Sequence, residues 1–563
     1  MASTKKESAG TSEKVKGFAT GMVNKISPKP VKVRSTQGEY TAEVAGEYAD
    51  GSDYTVIPTI TDPKIEKLDI YPVQAPFSYA RVVLNNTKNE YIYEVIEPQM
   101  GAKDIELFIM IKDTFQRTLG YEMDKLGTDD KATYIRECID SFIRSRSIMI
   151  SDTQKEKIVY YVIRDFVGYG VVDSLIRDEQ VEDVSCDGVG IPLFIFHKKY
   201  ESIKTSILFE TDEELDSYVI ALGQRCGKQT SVAMPILDGT TPEGHRVQST
   251  YAREVSTRGS SFTIRRFKEK PFTAVDLVSN GTANAEMIAY LWLAVEHLWS
   301  MIVCGGTASG KTSTLNATTI FIPPTAKIVS MEDTREINLP HENWIAGATR
   351  SGFGERGPDG KAPGEIDMFD LVRAALRQRP NYIIVGEVRG KETYTMFQAM
   401  ATGHTTYSTM HADSVKSMVN RLENPPINCP RILLCALNFV IVQSHVRIRD
   451  QQVRRIKQIV EIVGFEHETN ELITNTVFEW DQATDKFIYK GHSFLFDQIQ
   501  EVKNLTSEDM MEEFNRRIEI INYLVARNVS DFRELANIIV AYYKEPEETI
   551  MKIREEKARL GIT

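Results

Sequence analysis

Residues Gly305, Gly306, Thr307, Ala308, Ser309, Gly310, Lys311 and Thr312 follow one another in the spacing G-x-x-x-x-G-K-[ST]. Glycines at these positions let backbone N–H groups close around a phosphate chain at the positive end of a helix. Lys311 then reaches the β- and γ-phosphates, and the Thr312 hydroxyl is placed to ligate Mg2+, with Ser313 in the same first turn. Three other clusters lie downstream. They are Glu332-Asp333-Thr334-Arg335-Glu336, Gly386-Glu387-Val388-Arg389, and His411, with His404 a short way before it. Hydrolysis of a nucleoside triphosphate needs one carboxylate for the metal's water shell and another group to orient the attacking water. Glu387 suits the first role, and Glu336 or Glu332 the second. Any one of these clusters is ordinary for a solvated turn; three behind a single P-loop point to one shared site.

Each cluster needs an element to hold it. Met301–Cys304 reads as a short buried strand before the loop, and Lys311 to about Ile320 as the helix after it. Lys327–Met331, Tyr382–Val385 and Thr405–Met410 are three more apolar strands, each running into one of the clusters. An open α/β sheet places its ligand at such strand ends.

Around this core the pattern changes several times. Residues 1–34 form a flexible basic tail rich in Ser, Thr and Gly, and 35–270 an N-terminal domain. That domain starts β-rich to about residue 98, with Tyr79–Asn85 and Tyr91–Ile96 as a hairpin. Ile105, Phe108, Ile109, Lys112, Phe115 and Leu119 then follow a helical stripe with one polar slip, and further stripes cover about 130–147 and 153–167. Its last part is mixed α/β, with strands at Leu193–His197 and Ser261–Phe267. Pro271 marks a linker over 271–273, the ATPase core spans 274–490, and 491–563 is a helical extension. Phe514–Ala526 and Phe532–Tyr543 are the clearest stripes of that extension.

Composition narrows the classes. The 563 residues exceed what one core can hold, and 42% hydrophobic with 26% charged residues is ordinary for a globular chain. The longest candidate membrane stretch, around Ala289–Cys304, is broken by Glu296 and His297, and there is no signal peptide, so a cytoplasmic protein is expected. Cysteines 138, 186, 226, 304, 429 and 435 are scattered without a C-x-x-C pair, which argues against a disulfide framework or a zinc module. The net charge is −12, yet residues 1–34 hold eight basic residues against Glu7 and Glu13, leaving −18 on the remainder. A basic arm can contact anionic lipid or an acidic partner, and the acidic body speaks against nucleic acid.

At these residues the chain resembles the secretion ATPase superfamily of type II secretion, type IV pili and the archaeal flagellum. The likeness rests on the P-loop, an Asp box at Glu332–Glu336, a Walker B region from Ala374–Pro380 through Gly386–Gly390, and a His box from Gly403-His404 to Met410–Asp413. Gly168-Tyr169-Gly170 with Val181–Val184 is similar to the family's N-terminal domain. The absence of a tetracysteine site points to the archaeal branch. Asn424–Ile427, Val477–Asp481 and the helical tail are most similar to the archaellum motor ATPase.

The resemblance implies an α/β protein: a mixed N-terminal domain with a helical bundle, then a RecA-like P-loop ATPase domain with a helical C-terminal extension. It implies ATP as substrate, Glu336 as the water-activating carboxylate, Glu387 as the Walker B acid acting on Mg2+ through water, and His411 as a γ-phosphate sensor. Arg246, Arg265 and Arg266 are the candidate arginines from the N-terminal domain. It implies a homo-hexameric motor, peripheral at the cytoplasmic face of the membrane, working with a polytopic membrane platform protein and accessory cytoplasmic components on a filament. A pilus or type II-like secretion ATPase is the alternative pathway. A nucleic-acid motor or a nucleotide-gated scaffold are competing classes.

Overall fold

The computed structural model describes residues 46–48, 54–118 and 128–561, apart from 254, 268–269, 351, 353–356, 358–360, 449–450, 467 and 469–470. The basic segment 1–34 and Leu119 lie outside the described residues. The chain divides into two compact units, Met1–Phe267 and Lys268–Thr563.

In the first unit β1 (Gly46–Tyr48) and β2 (Val56–Pro58) form a small antiparallel ribbon. Then come β3 (Ile65–Gln74), β4 (Ser78–Asn85) and β5 (Glu90–Ile96), the helices α1 (Ala102–Thr118), α2 (Thr128–Ser145), α3 (Asp152–Phe166) and α4 (Asp173–Arg177), and β6 (Val181–Cys186), β7 (Pro192–His197) and β8 (Glu201–Leu208). Helix α5 (Asp212–Arg225) and β9 (Ile236–Thr240), β10 (Arg246–Thr250) and β11 (Ser261–Arg265) complete it. Nine strands form one sheet in the order β3-β4-β5-β8-β7-β6-β11-β10-β9, antiparallel except for β5 with β8. The expected hairpin is β4–β5, with Tyr79 opposite Ile96 and Leu84 opposite Tyr91.

Helices α1–α3 bury Phe108, Ile111, Phe115, Ile135, Ile139, Ile158 and Val162 against one another. The polar slip in the first stripe has a physical cause. Lys112 pairs with Asp165 of α3, and its ammonium lies 5.5 Å from the Phe108 ring centre. A lysine stem can thus line an apolar face while its charge is met by a carboxylate. Helix α3 starts where Ser151 and Gln154 cap each other's backbone N–H.

The second unit opens with α6 (Ala274–Ser279), α7 (Ala285–Glu296), β12 (Met301–Gly305) and α8 (Lys311–Thr319). It continues with β13 (Ile328–Glu332), β14 (Trp344–Ala348), α9 (Met368–Leu376), β15 (Tyr382–Glu387), α10 (Glu392–Ala401) and β16 (Thr405–Met410). Then follow α11 (Val415–Glu423), α12 (Arg431–Leu434), β17 (Phe439–Ile448), β18 (Gln451–Glu466), β19 (Glu471–Asp481) and β20 (Lys486–Tyr489). Helices α13 (Phe494–Lys503), α14 (Ser507–Ala526), α15 (Phe532–Lys544) and α16 (Pro546–Leu560) end the chain. The sheet order is β14-β13-β15-β16-β12-β17-β18-β19-β20. It is parallel from β14 to β17 and antiparallel from β17 to β20.

The four strands expected from the sequence are the centre of this sheet, and β12, β13 and β16 are buried along their whole length. That burial on both faces is why they read as unbroken apolar or small-residue runs rather than as alternations. The apolar stretch around Ala289–Cys304 resolves into α7 and β12. Every residue from Met287 to Val295 is buried, so α7 is a core helix wrapped on all sides. Among the described residues no helix is long and apolar enough to cross a membrane.

Thr273 caps α6 by exchanging hydrogen bonds with Asp276, which makes it part of this unit; the division between units falls earlier, after Phe267. The C-terminal helices share the core of the sheet. Trp292 stacks on Phe321 at 4.9 Å and donates to the Tyr543 hydroxyl of α15 at 3.0 Å, and Glu296 pairs with Arg517 of α14 at 2.7 Å.

Candidate functional site

The C-terminal ends of the parallel strands β12, β13, β15 and β16 deliver the chemistry-bearing residues to one edge of the sheet. The loop after β12 turns sharply. Ala308 has φ 57° and Gly310 φ 90°, both in the left-handed region. Gly310 is the residue before α8, so a positive φ is needed where the chain enters the helix. Packing demands glycine at Gly305 as well: a Cβ there would come within 2.5 Å of the Gln443 carbonyl oxygen and 2.4 Å of Ser309 Oγ.

Lys311 is the first residue of α8, and its ammonium is tucked into the loop. It donates to the Gly306 carbonyl at 2.8 Å and lies 3.4 Å from His411 Nδ1. On the far side of the ring, His411 Nε2 is 3.0 Å from Glu387 Oε1. Glu387 ends β15, and Arg389 donates to its other oxygen. A lysine can only donate, so Nδ1 facing it acts as acceptor and Nε2 carries the proton toward the carboxylate. Burial and the adjacent Lys311 charge both hold His411 below the usual histidine value, consistent with a neutral ring. Burial likewise lowers the Lys311 ammonium, with Glu387 opposing that shift. Glu387 Oε1 is buried, and the His411 imidazole is the group that faces it.

Two carboxylates of the first acidic cluster play different parts. Glu332, at the end of β13, is 2% exposed. One of its oxygens accepts the backbone N–H groups of Glu336 at 2.9 Å and Ile337 at 3.0 Å; the other has no partner. Burial pushes its pKa up to about 7 against those two donors. Glu332 therefore fixes the chain that carries Glu336, while the Glu336 side chain is exposed and its charge is felt at Lys311.

The structure brings Gly305–Ser313, Glu332, Glu336, Glu387 and His411 to the same strand ends. His404 stands at the opposite edge, before β16 starts, and bonds with Thr402. Ala374–Pro380 also precedes its strand, so of the Walker B region only Gly386–Gly390 reaches the site edge.

In the first unit Arg246 and Arg265 are exposed and directly opposite each other across β10 and β11; Arg246 also pairs with Asp238 at 3.3 Å. Arg266 is engaged within its own unit, donating to the carbonyls of Asp178 and of Val181, the latter at 2.7 Å. Residues not singled out from the sequence also shape the site. Arg421 donates to the His411 carbonyl, and Arg454 of β18 donates from Nε to the Ala308 carbonyl at 3.0 Å. Arg389 stood inside a recognised motif; the contact between Arg454 and Ala308 spans 146 positions and leaves no local trace in the sequence.

Among the described residues no group of three or more His, Cys, Asp or Glu is arranged to hold a metal ion. A Mg2+ ion that accompanies a nucleotide takes most of its ligands from phosphate oxygens and water, with few from the protein. Thr312, at the start of α8, and Glu387, at the end of β15, are the residues that would hold it.

The family profile described as type II/IV secretion system protein matches residues 188–563. The chain belongs to this family. A second profile, PilB3-like N-terminal, matches residues 38–99 of this secretion-family chain. It is 36% identical over 499 residues to an uncharacterised protein of Methanocaldococcus jannaschii, covering 84% of this chain and 89% of that one. It is also 30% identical over 237 residues to the conjugal transfer protein TrbB of Rhizobium radiobacter, covering 41% of this chain and 69% of that protein. Among solved structures, it resembles the VirB11 ATPase from the Brucella suis type IV secretion system at 23% identity and TM-score 0.25, over 50% of this chain and 89% of that one. It also resembles the pilus retraction motor PilT with bound ADP, at 17% identity and TM-score 0.36, over 59% and 93%.

Proposed function

We propose that this secretion-family chain is an ATP-hydrolysing motor subunit, working as a homo-hexamer on a pilus-like filament or secretion machine. The observation that carries the reading is the P-loop of β12–α8 with Lys311, His411 and Glu387 in line behind it. ATP binds with its β- and γ-phosphates on the loop N–H groups and Lys311, which must leave the Gly306 carbonyl to meet them. Mg2+, when bound, neutralises phosphate charge from Thr312 and the water shell held by Glu387. Glu336 accepts the proton of the attacking water, Glu332 holds its backbone, and His411 follows the γ-phosphate. Arg246 and Arg265 are candidate arginines for the nucleotide, from the same or a neighbouring subunit. Force passes to a membrane platform protein and accessory motor components, with the chain peripheral to the cytoplasmic face.

Two pathway readings have support. Asn424–Ile427, Val477–Asp481 and the helical tail favour the archaellum motor. The PilB3-like match over residues 38–99 favours a pilus-type machine, and we place that reading first.

Steady-state turnover of Mg-ATP tests the enzyme. Wild type should hydrolyse ATP, with a rate per chain that rises with protein concentration as a ring forms. Lys311→Ala should lose nucleotide binding. Glu336→Gln should keep binding and lose turnover by at least about 100-fold, the usual scale of a positioned proton acceptor. Wild-type turnover in Glu336→Gln would move the role to Glu332.

A further inference from the structure

Arg454 comes from β18, outside all four nucleotide motifs, yet it reaches the P-loop. Its Nε donates to the Ala308 carbonyl at 3.0 Å, and its Cδ lies 3.1 Å from where a Cβ on Gly310 would stand. Ala308 and Gly310 are the two residues of the loop with positive φ. A trans peptide unit points its C=O and N–H in opposite directions. Holding the Ala308 carbonyl outward on a guanidinium therefore aims the Ser309 N–H inward, toward the space the loop encloses. Ala308 sits in a conformation disfavoured for a residue with a side chain, and the bond from Arg454 helps to hold it there.

The arginine is itself placed by its neighbour. Arg455 is buried, and its guanidinium binds both oxygens of Asp485, the Asn280 carbonyl and the carbonyl of Arg454. The backbone of β18 at this point is tied to the β19–β20 turn and to the segment after α6, so Arg454 reaches the loop from a fixed base.

We propose that Arg454 is a positioning residue for the phosphate-binding loop, acting through the Ala308–Ser309 peptide to pre-orient the Ser309 N–H for the phosphates of ATP and ADP. This rests on the reading of Gly305–Thr312 as a nucleotide site. Because the oriented N–H serves phosphates common to both nucleotides, its loss weakens ATP and ADP alike and leaves the hydrolytic step in place.

The test uses the full chain with Mg2+ and fluorescent N-methylanthraniloyl ATP and ADP. Equilibrium binding and steady-state kinetics are measured for wild type, Arg454→Ala, Arg454→Lys and Lys311→Ala, with thermal melting to verify folding. Arg454→Ala should raise the Kd of both nucleotides by a similar factor, about tenfold, the scale of one charge-assisted hydrogen bond. KM should rise in parallel while kcat stays within about twofold. Arg454→Lys, which keeps the charge and a donor, should recover part of the affinity. Unchanged Kd in a folded Arg454→Ala overturns the proposal. A fall in kcat with ATP affected far more than ADP also overturns it, since that is the signature of direct contact with the γ-phosphate. If wild type and Lys311→Ala bind nucleotide equally poorly, the nucleotide reading itself fails; equal binding by wild type and Arg454→Ala, with binding lost in Lys311→Ala, rejects only the role of Arg454.

Discussion

Glu332 shows how one buried carboxylate can hold the backbone of a neighbouring candidate residue. Its pKa is pushed from an ordinary 4.5 to about 7, by burial that outweighs the N–H bonds it accepts from Glu336 and Ile337. A raised carboxyl pKa costs the folded state nothing below about pH 4.5, where the group is protonated folded or unfolded. The cost grows as pH climbs through 7, because the unfolded chain ionises freely and the folded one does not. Across that window the penalty is on the order of 3 kcal/mol. Glu332→Gln keeps an acceptor for the two N–H groups and removes the ionisation. Its thermal midpoint relative to wild type should therefore rise steadily between pH 4.5 and 7.5. A mutant-minus-wild-type difference that is flat with pH would mean Glu332 ionises as easily folded as unfolded.

At the scale of elements, the long ribbon β17–β20 joins the candidate-site edge to the C-terminal helices, and Glu461 of β18 is its clasp. Fully buried, it accepts from the Tyr290 hydroxyl of α7 at 2.9 Å, Ser493 Oγ at 2.8 Å, Asn475 at 2.8 Å, and the N–H groups of Phe494 and Leu495 that start α13. A carboxylate at a helix N-terminus also meets the positive end of the helix dipole. Glu461→Ala removes the shared acceptor of five donors, of which Asn475 keeps the His492 carbonyl, and should cost about 3 kcal/mol or more, visible as a drop of several degrees in the melting midpoint. Glu461→Gln should cost less, because it retains an acceptor of the same shape. Melting of Glu461→Ala within a degree of wild type would show that water replaces the carboxylate without loss.

The elements also show what a sequence can and cannot reveal. The parallel strands of the site were readable because burial on both faces makes them continuous runs, and the P-loop because its spacing is its mechanism. The ribbon was largely hidden. From His445 to Arg454 its exposed face is polar, with His445, Arg447, Gln452 and Arg454 alternating with partly buried residues, so apolar runs give no signal. The grip of Arg454 on Ala308 and that of Glu332 on the Glu336 backbone depend on tertiary register, which spacing alone does not encode.

At the scale of the whole molecule, charge separates a basic arm from an acidic body. Every candidate site residue lies beyond residue 240, so hydrolysis should not depend on residues 1–34. Their net +6, set against −18 on the rest, suits them to an anionic surface that the body itself would avoid. Each basic residue near such a surface contributes about 1 kcal/mol at low salt, less the cost of ordering the chain and the screening that grows as the Debye length shrinks. Deleting 1–34 should therefore leave turnover per chain unchanged in solution. It should reduce co-sedimentation with vesicles containing phosphatidylserine at low ionic strength, and the difference between the two proteins should fade as salt rises toward 0.5 M. Equal sedimentation of both proteins with those vesicles would assign membrane contact to another surface and leave the arm as a solvated tail. A loss of turnover in the deleted protein would instead show that the arm takes part in assembling the active ring, since no group of the site lies within it.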